Sequence, residues 1–309
     1  MSRLSVTLCG ISLKNPIIPA SGTFGFGRDF DRFYDISTLG AIATKGLTPA
    51  PRIGNPPPRI AETPSGILNA VGLQNPGVDA FLETELPWML QKGAVVIANI
   101  AAPTIEGYCE LARKLDGSGI AMLEVNVSCP NVREGGRVFG GDPKSVAAVT
   151  AAVRKSTRKP MLMKLSPNVA DIADCARAAE AAGADAVSLI NTLTGMAIDL
   201  RTRRPILANL TGGLSGPAIR PIALRMCYQT AQAVSIPVVG MGGICSGEDA
   251  AAFLLAGCTA VQVGTANLAD PFACPRILAE LEEYLNEQRI GDVNELIGAL
   301  LMEEGGLSR

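Results

Sequence analysis

The chain has 309 residues, 48% of them apolar, and such a length can form either two domains or one large α/β barrel. Its 27 basic and 29 acidic residues nearly balance, so we expect neither a nucleic-acid partner nor attachment to a membrane surface. The chain has no histidine, so a general base or a metal ligand would have to be a cysteine, a lysine or a carboxylate.

The cysteine pattern and the chain start bear on metal binding and cellular location. The eight cysteines include no Cys-x-x-Cys pair, so we expect no zinc or iron–sulfur site in this chain. No apolar run approaches the roughly 18 residues that a membrane-spanning helix needs. The N-terminal residues also lack the apolar segment of a signal peptide. These features predict a cytoplasmic protein with reduced cysteines, no membrane partner and no metal site.

Short apolar runs alternate with helical patterns along the chain. A small hairpin is predicted over residues 4–11. The predicted strands cover residues 16–20, 40–44, 94–98, 121–127, 161–163, 186–190, 236–241 and 260–263. Helices are predicted over residues 78–92, 105–115, 143–158, 169–182, 221–234 and 247–256, with further helices towards the C-terminus. Two polar, glycine-rich segments, 66–77 and 193–216, are interpreted as long loops that carry function.

The strand runs are continuously apolar rather than alternating, as parallel strands buried on both faces require. Eight strand–helix units in about 300 residues predict a (β/α)8 TIM barrel, a single domain over residues 1–309 with long active-site loops. An open, doubly wound sheet is the alternative. It is less favoured because no Gly-x-Gly-x-x-Gly fingerprint opens the first helix.

Polar residues and glycines stand at the ends of the predicted strands, at the edge where barrels of this class place their active sites. In chain order these residues are Ser21, Lys45, Asn99, Asn126, Lys164, Asn191, Gly242-Gly243 and Gly264-Thr265. Gly242-Gly243 and Gly264-Thr265 come after the seventh and eighth strands, where backbone N–H groups commonly hold a phosphate. The two lysines leave two possibilities open: a nucleophilic Schiff-base lysine, or two cations facing an anionic ligand. The asparagines favour the second, because amides suit a planar heterocycle with alternating N–H and C=O edges.

The end of the fourth predicted strand has a distinctive sequence. Asn126-Val127-Ser128-Cys129-Pro130-Asn131 places two amides, a hydroxyl and a thiol after the apolar run. Pro130 cannot continue the strand pairing, and a glycine-rich segment follows it. The segment is either a turn with an incidental cysteine or a loop that closes over a ligand.

This segment, together with Gly135-Gly136-Arg137-Val138-Phe139-Gly140-Gly141-Asp142-Pro143, resembles the dihydroorotate dehydrogenase family, and within it the class 1B catalytic subunits. The segments 69–77 and 212–217 match the same family, and the resemblance covers nearly the whole chain in order. Class 2 members carry a serine base and an N-terminal membrane extension, and this sequence has neither feature.

The resemblance implies a flavin mononucleotide (FMN) in the barrel mouth with dihydroorotate lying on it. The residues implied to bind FMN are Ser21, Lys45, Gly46, Asn99, Asn126, Lys164, Ile190, Gly216, Gly242, Gly243, Gly264 and Thr265. Those implied to bind the substrate or product are Lys45, Asn69, Ala70, Val71, Gly72, Leu73, Asn126, Asn191 and Thr192.

The family also implies the chemistry: oxidation of (S)-dihydroorotate to orotate in pyrimidine biosynthesis. Cys129 would take the proton from substrate C5, while a hydride passes from C6 to flavin N5. Lys45 would offset the substrate carboxylate, and Lys164 would lie by the flavin N1/O2 edge, where negative charge appears on reduction.

Class 1B resemblance further implies a separate electron-transfer subunit with FAD and a [2Fe-2S] cluster, which passes electrons to NAD+. The expected assembly is a heterotetramer of two catalytic and two electron-transfer subunits. The competing interpretations are the catalytic part of a flavin-dependent dihydropyrimidine dehydrogenase, a fumarate-linked dihydroorotate dehydrogenase, a Schiff-base aldolase that uses Lys164, and a non-catalytic protein that binds a phosphorylated ligand.

Overall fold

The computed structural model describes residues 3–128 and 139–302. In these ranges the strands are β1 (Val6–Leu8), β2 (Ile11–Leu13), β3 (Ile17–Pro19), β4 (Ile42–Ala43), β5 (Ile60–Thr63), β6 (Gly66–Asn69), β7 (Val96–Ile100), β8 (Met122–Asn126), β9 (Met161–Lys164), β10 (Ala186–Leu189), β11 (Leu193–Met196), β12 (Ile198–Asp199), β13 (Arg204–Pro205), β14 (Thr211–Ser215), β15 (Val238–Met241) and β16 (Ala260–Val263).

The α-helices in the same ranges are α1 (Val78–Ala80), α2 (Leu86–Gln91), α3 (Ile105–Asp116), α4 (Pro143–Arg154), α5 (Ile172–Ala181), α6 (Arg220–Ala231), α7 (Gly247–Leu255), α8 (Ala266–Ala269) and α9 (Ala273–Glu287). A π-helical stretch over Phe81–Glu85 joins α1 and α2, so the predicted helix over residues 78–92 is confirmed. Short 3₁₀ turns cover Phe30–Arg32, Ile36–Thr38, Pro217–Ile219 and Val293–Leu296.

Eight parallel strands form the central sheet, in the order β3-β16-β15-β10-β9-β8-β7-β4. Its two outer strands, β3 and β4, approach each other. The Gly40 N–H, just before β4, donates to the carbonyl of Ile17 in β3 over 3.0 Å. Helices α3 to α7 alternate with the strands along the chain. The sheet is therefore nearly closed, and the predicted (β/α)8 barrel is confirmed.

The apolar core explains why the strand runs are continuous. Every residue of β7, β8, β9, β10, β15 and β16 is buried. The inner faces of the strands fill the barrel, and their outer faces pack against the helices, so both sets of positions are apolar except at a few sites.

Several helix boundaries differ from the sequence prediction, most of all at the end of α4, at the start of α5 and at the end of α6, which stops at Ala231 rather than near residue 234. The predicted cap at Asp142 is confirmed, because its carboxylate accepts from the Ser145 N–H over 2.9 Å, but α4 ends at Arg154 rather than near residue 158. Helix α5 begins at Ile172 rather than at residue 169. The Asp171 side chain accepts from the Ala173 N–H over 2.8 Å, and this cap fixes the helix start.

The segments 66–77 and 193–216, predicted as loops, are in part strands. They contribute β6, β11 and β14 to a four-stranded antiparallel sheet in the order β11-β14-β6-β5, while β12 and β13 form a small hairpin. The glycines reflect close backbone approach, because a Cβ on Gly66 would lie 2.0 Å from the Ser215 carbonyl oxygen. The predicted N-terminal hairpin is confirmed as β1 and β2, which extend it to Leu13.

Candidate active site

A cavity lined by both polar and apolar residues opens at the carboxyl ends of the barrel strands, beside the antiparallel sheet. Its volume is about 270 Å³, far above the roughly 30 Å³ of one water molecule, so it is not a packing defect. The residues that line it are Ala20, Ser21, Gly22, Thr23, Lys45, Gly46, Ile60, Ile67, Asn69, Val71, Gly72, Leu73, Asn99, Asn126, Lys164, Ile190, Asn191, Thr192, Gly213, Ser215, Gly216, Ile219, Met241, Gly242, Gly243, Gly264, Thr265 and Leu268.

The structure brings all but two of the sequence-predicted site residues to this cavity. Ala70 does not line it. Its side chain is fully buried in a small cluster with Ala61, Leu68 and Leu207 beneath the antiparallel sheet. The sequence prediction included Ala70 because it lies within the matched segment, but strand geometry turns it away from its neighbours Asn69 and Val71. Cys129 lies outside the described residues.

Ten further lining residues were not predicted. Gly22 and Thr23 directly follow Ser21, so the position of a strand end could have indicated them. Leu268 and Ile219 reach the rim from α8 and from the turn before α6, and no local sequence pattern indicated this. They are near the cavity only because the loops after β14 and β16 fold against each other.

Three side chains at the end of β8 and β10 form a connected polar cluster. The Asn191 Nδ2 donates to Ser128 Oγ over 2.5 Å and lies 3.3 Å from Asn126 Oδ1. Ser128 Oγ in turn donates to Asn126 Oδ1 over 2.9 Å. Fixed amides at the ends of these two strands, which flank β9 in the sheet, can present both donors and acceptors to a planar ring.

The two lysines occupy different environments. Lys164, at the end of β9, is only 5% exposed, and its Nζ lies 3.8 Å from the carboxylate Oε2 of Glu124. Lys45 follows β4 and is partly exposed at the cavity wall. A Cβ on Gly22 would lie 3.8 Å from its Nζ, so the ammonium group borders the loop after β3. The cavity thus contains one buried and one accessible cation.

Glu124, which sequence analysis missed, lies inside the barrel below the cavity. It is fully buried and accepts hydrogen bonds from Asn99 Nδ2 at 2.6 Å, Gln262 Nε2 at 2.6 Å and Ser188 Oγ at 2.8 Å. Glu124 precedes Asn126 by two residues, so strand alternation places both side chains on the same face. That alternation was the one local pattern that could have indicated Glu124 as an inward-facing residue, but the apolar residues on either side made the strand look uniformly apolar.

A glycine-lined concavity forms the end of the cavity beside α6. Gly243 has a φ of +75° and Gly216 a φ of +101°, both in the region that favours glycine. A Cβ on Gly243 would lie 2.8 Å from the Gly216 carbonyl oxygen and 2.7 Å from the Arg220 Cβ. Thr265 Oγ1 donates to Ser215 Oγ over 2.8 Å and links this end of the cavity to the antiparallel sheet.

These residues fit a phosphorylated flavin. Asn99 Oδ1 is buried and has no hydrogen-bond partner among the described residues. A Cβ on Gly46 would lie 2.9 Å from that oxygen, so the glycine leaves the space in front of it open. An unpaired buried acceptor, two lysines and a glycine-lined concavity match the ring edge, the negative charge and the phosphate of FMN.

The cysteines that the structure describes are all free thiols. Burial, with a smaller contribution from Asp185, raises the pKa of Cys9 to about 12. Burial likewise raises the pKa of Cys274 to about 12 and that of Cys175 to about 11. Cys258 is fully buried, and its pKa is raised well above normal, first by its hydrogen bond to Cys227 and then by burial. None of these four is suited to act as a thiolate base.

The structure also bears on metal and membrane binding. Over residues 3–128 and 139–302, no group of three or more His, Cys, Asp or Glu side chains is placed to hold a metal ion. Within the same ranges, no helix combines the length and the apolar character required to cross a membrane.

The fold and the site together define a (β/α)8 barrel with a cationic, amide-lined cavity and a glycine-lined concavity at its mouth. Comparison with known proteins is more specific. The sequence profile described as "Dihydroorotate dehydrogenase" matches residues 3–285, and the chain belongs to this family. It is 58% identical over 298 residues to the protein of Geotalea daltonii named "Dihydroorotate dehydrogenase B (NAD(+)), catalytic subunit", covering 96% of this chain and 98% of that one.

Two other relatives carry the same name. The protein of Geobacter sulfurreducens is 58% identical over 298 residues, covering 96% of this chain and 98% of its own length. The protein of Geobacillus kaustophilus is 56% identical over 299 residues, covering 96% of each chain. The resemblance inferred from the sequence motifs is therefore confirmed.

Proposed function

We propose that this chain is the catalytic subunit of an NAD+-linked dihydroorotate dehydrogenase, which oxidises (S)-dihydroorotate to orotate in pyrimidine biosynthesis. The observation that carries this proposal is the convergence of Lys45, Asn126 and Asn191 on a cavity that adjoins a glycine-lined concavity. Three relatives that align over nearly their whole length bear the name of this enzyme.

Lys45 and the amides bind different parts of the substrate. Lys45, the accessible cation, offsets the carboxylate of the substrate. The amides of Asn126 and Asn191, held by Ser128, pair with the pyrimidine ring, and Asn69 and Thr192 complete its binding site. Val71, Gly72 and Leu73 cover the ring from the antiparallel-sheet side.

FMN is the proposed cofactor, and when bound it supplies the acceptor for the hydride that leaves substrate C6. Gly242, Gly243, Gly264 and Thr265 hold its phosphate, with Gly216 nearby. Ser21, Gly46, Asn99, Lys164 and Ile190 contact the ring system. Lys164 supplies a fixed cation that favours negative charge on the ring.

Cys129 is the proposed general base. Its thiolate takes the proton from substrate C5 as the C5–C6 double bond forms. The family resemblance supports this role, and so does the absence of histidine from the sequence. The thiols of Cys9, Cys175 and Cys274, whose pKa values burial raises to between about 11 and 12, are poor alternatives.

The relatives' designation as a catalytic subunit supports a further subunit in this system. We propose that it carries FAD and a [2Fe-2S] cluster and passes electrons to NAD+, in a heterotetramer of two catalytic and two electron-transfer subunits. We also propose that residues 1–309 act as one FMN-binding domain in the cytoplasm.

Anaerobic mixing of the FMN-loaded chain with dihydroorotate tests the proposed activity. We expect the flavin absorbance to bleach and orotate to appear in equal amount. NAD+ should restore the colour only when the partner subunit is present, whereas recovery with fumarate would favour a fumarate-linked enzyme. Bleaching with dihydrouracil but not with dihydroorotate would favour a dihydropyrimidine dehydrogenase, and a colourless protein trapped by borohydride would favour an aldolase.

A further inference from the structure

The buried carboxylate of Glu124 controls which atom of Asn99 faces the cavity. Glu124 has three hydrogen-bond partners, and two of them are amide nitrogens, Asn99 Nδ2 and Gln262 Nε2, each 2.6 Å away. An amide nitrogen can donate but cannot accept, so both carboxylate oxygens act as acceptors. This arrangement fits an ionised carboxylate, and Lys164 Nζ at 3.8 Å supplies the counter-charge.

An acceptor-only Glu124 fixes the orientation of both neighbouring amides. Each must turn its NH2 group towards the carboxylate, which leaves Asn99 Oδ1 and Gln262 Oε1 pointing elsewhere. Both oxygens are buried without a hydrogen-bond partner among the described residues. Asn99 and Gln262 lie on different strands, yet both turn their amide oxygens away from Glu124. The shared orientation therefore follows from the Glu124 carboxylate and not from a local feature of either strand.

Only one of the two oxygens can meet a ligand. Asn99 lines the cavity, whereas Gln262 does not. Gly46 leaves the space next to Asn99 Oδ1 open, since a Cβ there would lie 2.9 Å from that oxygen. Asn99 therefore presents an acceptor and no donor, and the group that binds it must be a hydrogen-bond donor.

We propose that Glu124 is a positioning residue that sets the hydrogen-bond polarity of Asn99, so that the cavity selects a ring presenting an N–H group. This inference rests on the proposed function for the identity of the ring. The oxidised isoalloxazine of FMN has one ring N–H, at N3, among several acceptors. Asn99 Oδ1 would accept a hydrogen bond from that N–H group, and Glu124 would hold the Asn99 amide in the orientation that permits it.

The test compares FMN with N3-methyl-FMN, which lacks the donor, in binding titrations of the apoprotein. The wild type should bind the methylated analogue at least about tenfold more weakly, the equivalent of one lost hydrogen bond. In Glu124→Gln the new amide can donate to Asn99 Oδ1, so Asn99 can turn its NH2 towards the cavity. We expect FMN to bind about tenfold more weakly to this variant and the preference for FMN over its methylated analogue to fall below about threefold.

Ser188→Ala is the matched control. Ser188 donates to the same carboxylate over 2.8 Å but does not line the cavity, so this variant should keep the wild-type preference between the two flavins. A general loss of stability would weaken both flavins alike and leave the ratio unchanged. The ratio therefore separates a positioning role from a structural one.

The outcomes are distinct. If wild type and Glu124→Gln show the same ratio, Glu124 does not set the polarity and the inference is wrong. If the wild type binds no FMN, the proposed function itself fails. Should Glu124→Gln not fold, the Glu124→Gln/Lys164→Met double variant removes both charges together, and its ratio is compared with that of Lys164→Met. Equal ratios there would equally overturn the inference.

Discussion

Lys164 and Glu124 face each other inside the barrel from the adjacent strands β9 and β8, with Nζ 3.8 Å from Oε2 and side chains 6% and 0% exposed. Two opposite charges so far from solvent depend on each other, because either one alone would be a buried charge without a counter-charge. Glu124 lies in the barrel interior and Lys164 lines the cavity, so the pair connects the core of the barrel with the ligand-binding site.

Replacing Lys164 by Met tests this dependence. The substitution leaves Glu124 buried without its counter-charge, so we expect the free energy of unfolding of the apoprotein to fall by about 3 kcal/mol. FMN should also be retained more weakly. Denaturant unfolding and flavin titration measure the two effects. Adding Glu124→Gln should recover part of the lost stability, and a single variant as stable and as fully loaded as the wild type would contradict the assignment.

Cys129→Ser tests the proposed base. The serine hydroxyl keeps the size of the side chain but is a far weaker acid than a thiol, so proton removal from substrate C5 should slow by at least about a hundredfold. FMN content should stay unchanged. Anaerobic stopped-flow reduction by dihydroorotate measures the rate, and a rate equal to that of the wild type would remove Cys129 from the mechanism.

Gly243→Ala tests the phosphate concavity. The new Cβ would have to accommodate a φ of +75° and approach the Gly216 carbonyl oxygen to 2.8 Å. We expect a loss of about 1–3 kcal/mol in stability together with loss of FMN. Gly264→Ala is the control for stability, because its Cβ would meet nothing closer than Ala20 Cβ at 3.8 Å. Equal melting temperatures for the two variants would argue against strain at Gly243.

We expect the Asp142 carboxylate to make a pH-dependent contribution to stability. Its hydrogen bonds to the backbone and side chain of Ser145 hold the pKa of the carboxyl below its usual value of 3.8. Since the folded pKa is lowered, the contribution is present above about pH 4 and is lost as the pH falls through the folded pKa. We expect Asp142→Ala to cost about 1 kcal/mol at pH 7 and less at pH 3. Asp142→Asn, which still caps the helix, should cost less at pH 7; a difference between Asp142→Ala and wild type that does not change with pH would contradict the cap.

Thiol labelling distinguishes Cys129 from the cysteines whose pKa is raised. Burial raises the pKa of Cys175 to about 11 and those of Cys9 and Cys274 to about 12. At pH 8 fewer than about one in a thousand of these thiols is ionised, so iodoacetamide should react with them very slowly in the native protein. We expect Cys129 to be alkylated first and orotate to protect it, as peptide mass analysis would show. Faster modification of Cys175 than of Cys129 would contradict this expectation.

The barrel and most of the cavity lining could be predicted from the sequence. Continuous apolar runs such as β9 and β16 indicated parallel strands buried on both faces. The residue after each run was then placed at the mouth, because the carboxyl ends of parallel strands share one edge. That reasoning identified Lys45, Lys164 and Gly243 without any knowledge of tertiary contacts.

The antiparallel sheet could not be predicted in this way. Asn69 Nδ2 donates to the Gly213 carbonyl over 3.3 Å, although the two residues are 144 positions apart. Neither segment has the alternating apolar pattern of a strand, and each is rich in glycine. Their pairing depends on contacts between residues far apart in the chain, which no local pattern specifies.

The sequence by itself determined which strand-end side chains reach the barrel mouth, because the end of each apolar run is a local property of the chain. Only the tertiary structure decided how those side chains meet. The direction of the hydrogen bond from Asn99 to Glu124, and so the atom that Asn99 presents to a ligand, depends on a charge on a neighbouring strand. Hydrogen-bond direction is a property of a pair of groups, and no pattern within one strand specifies the partner.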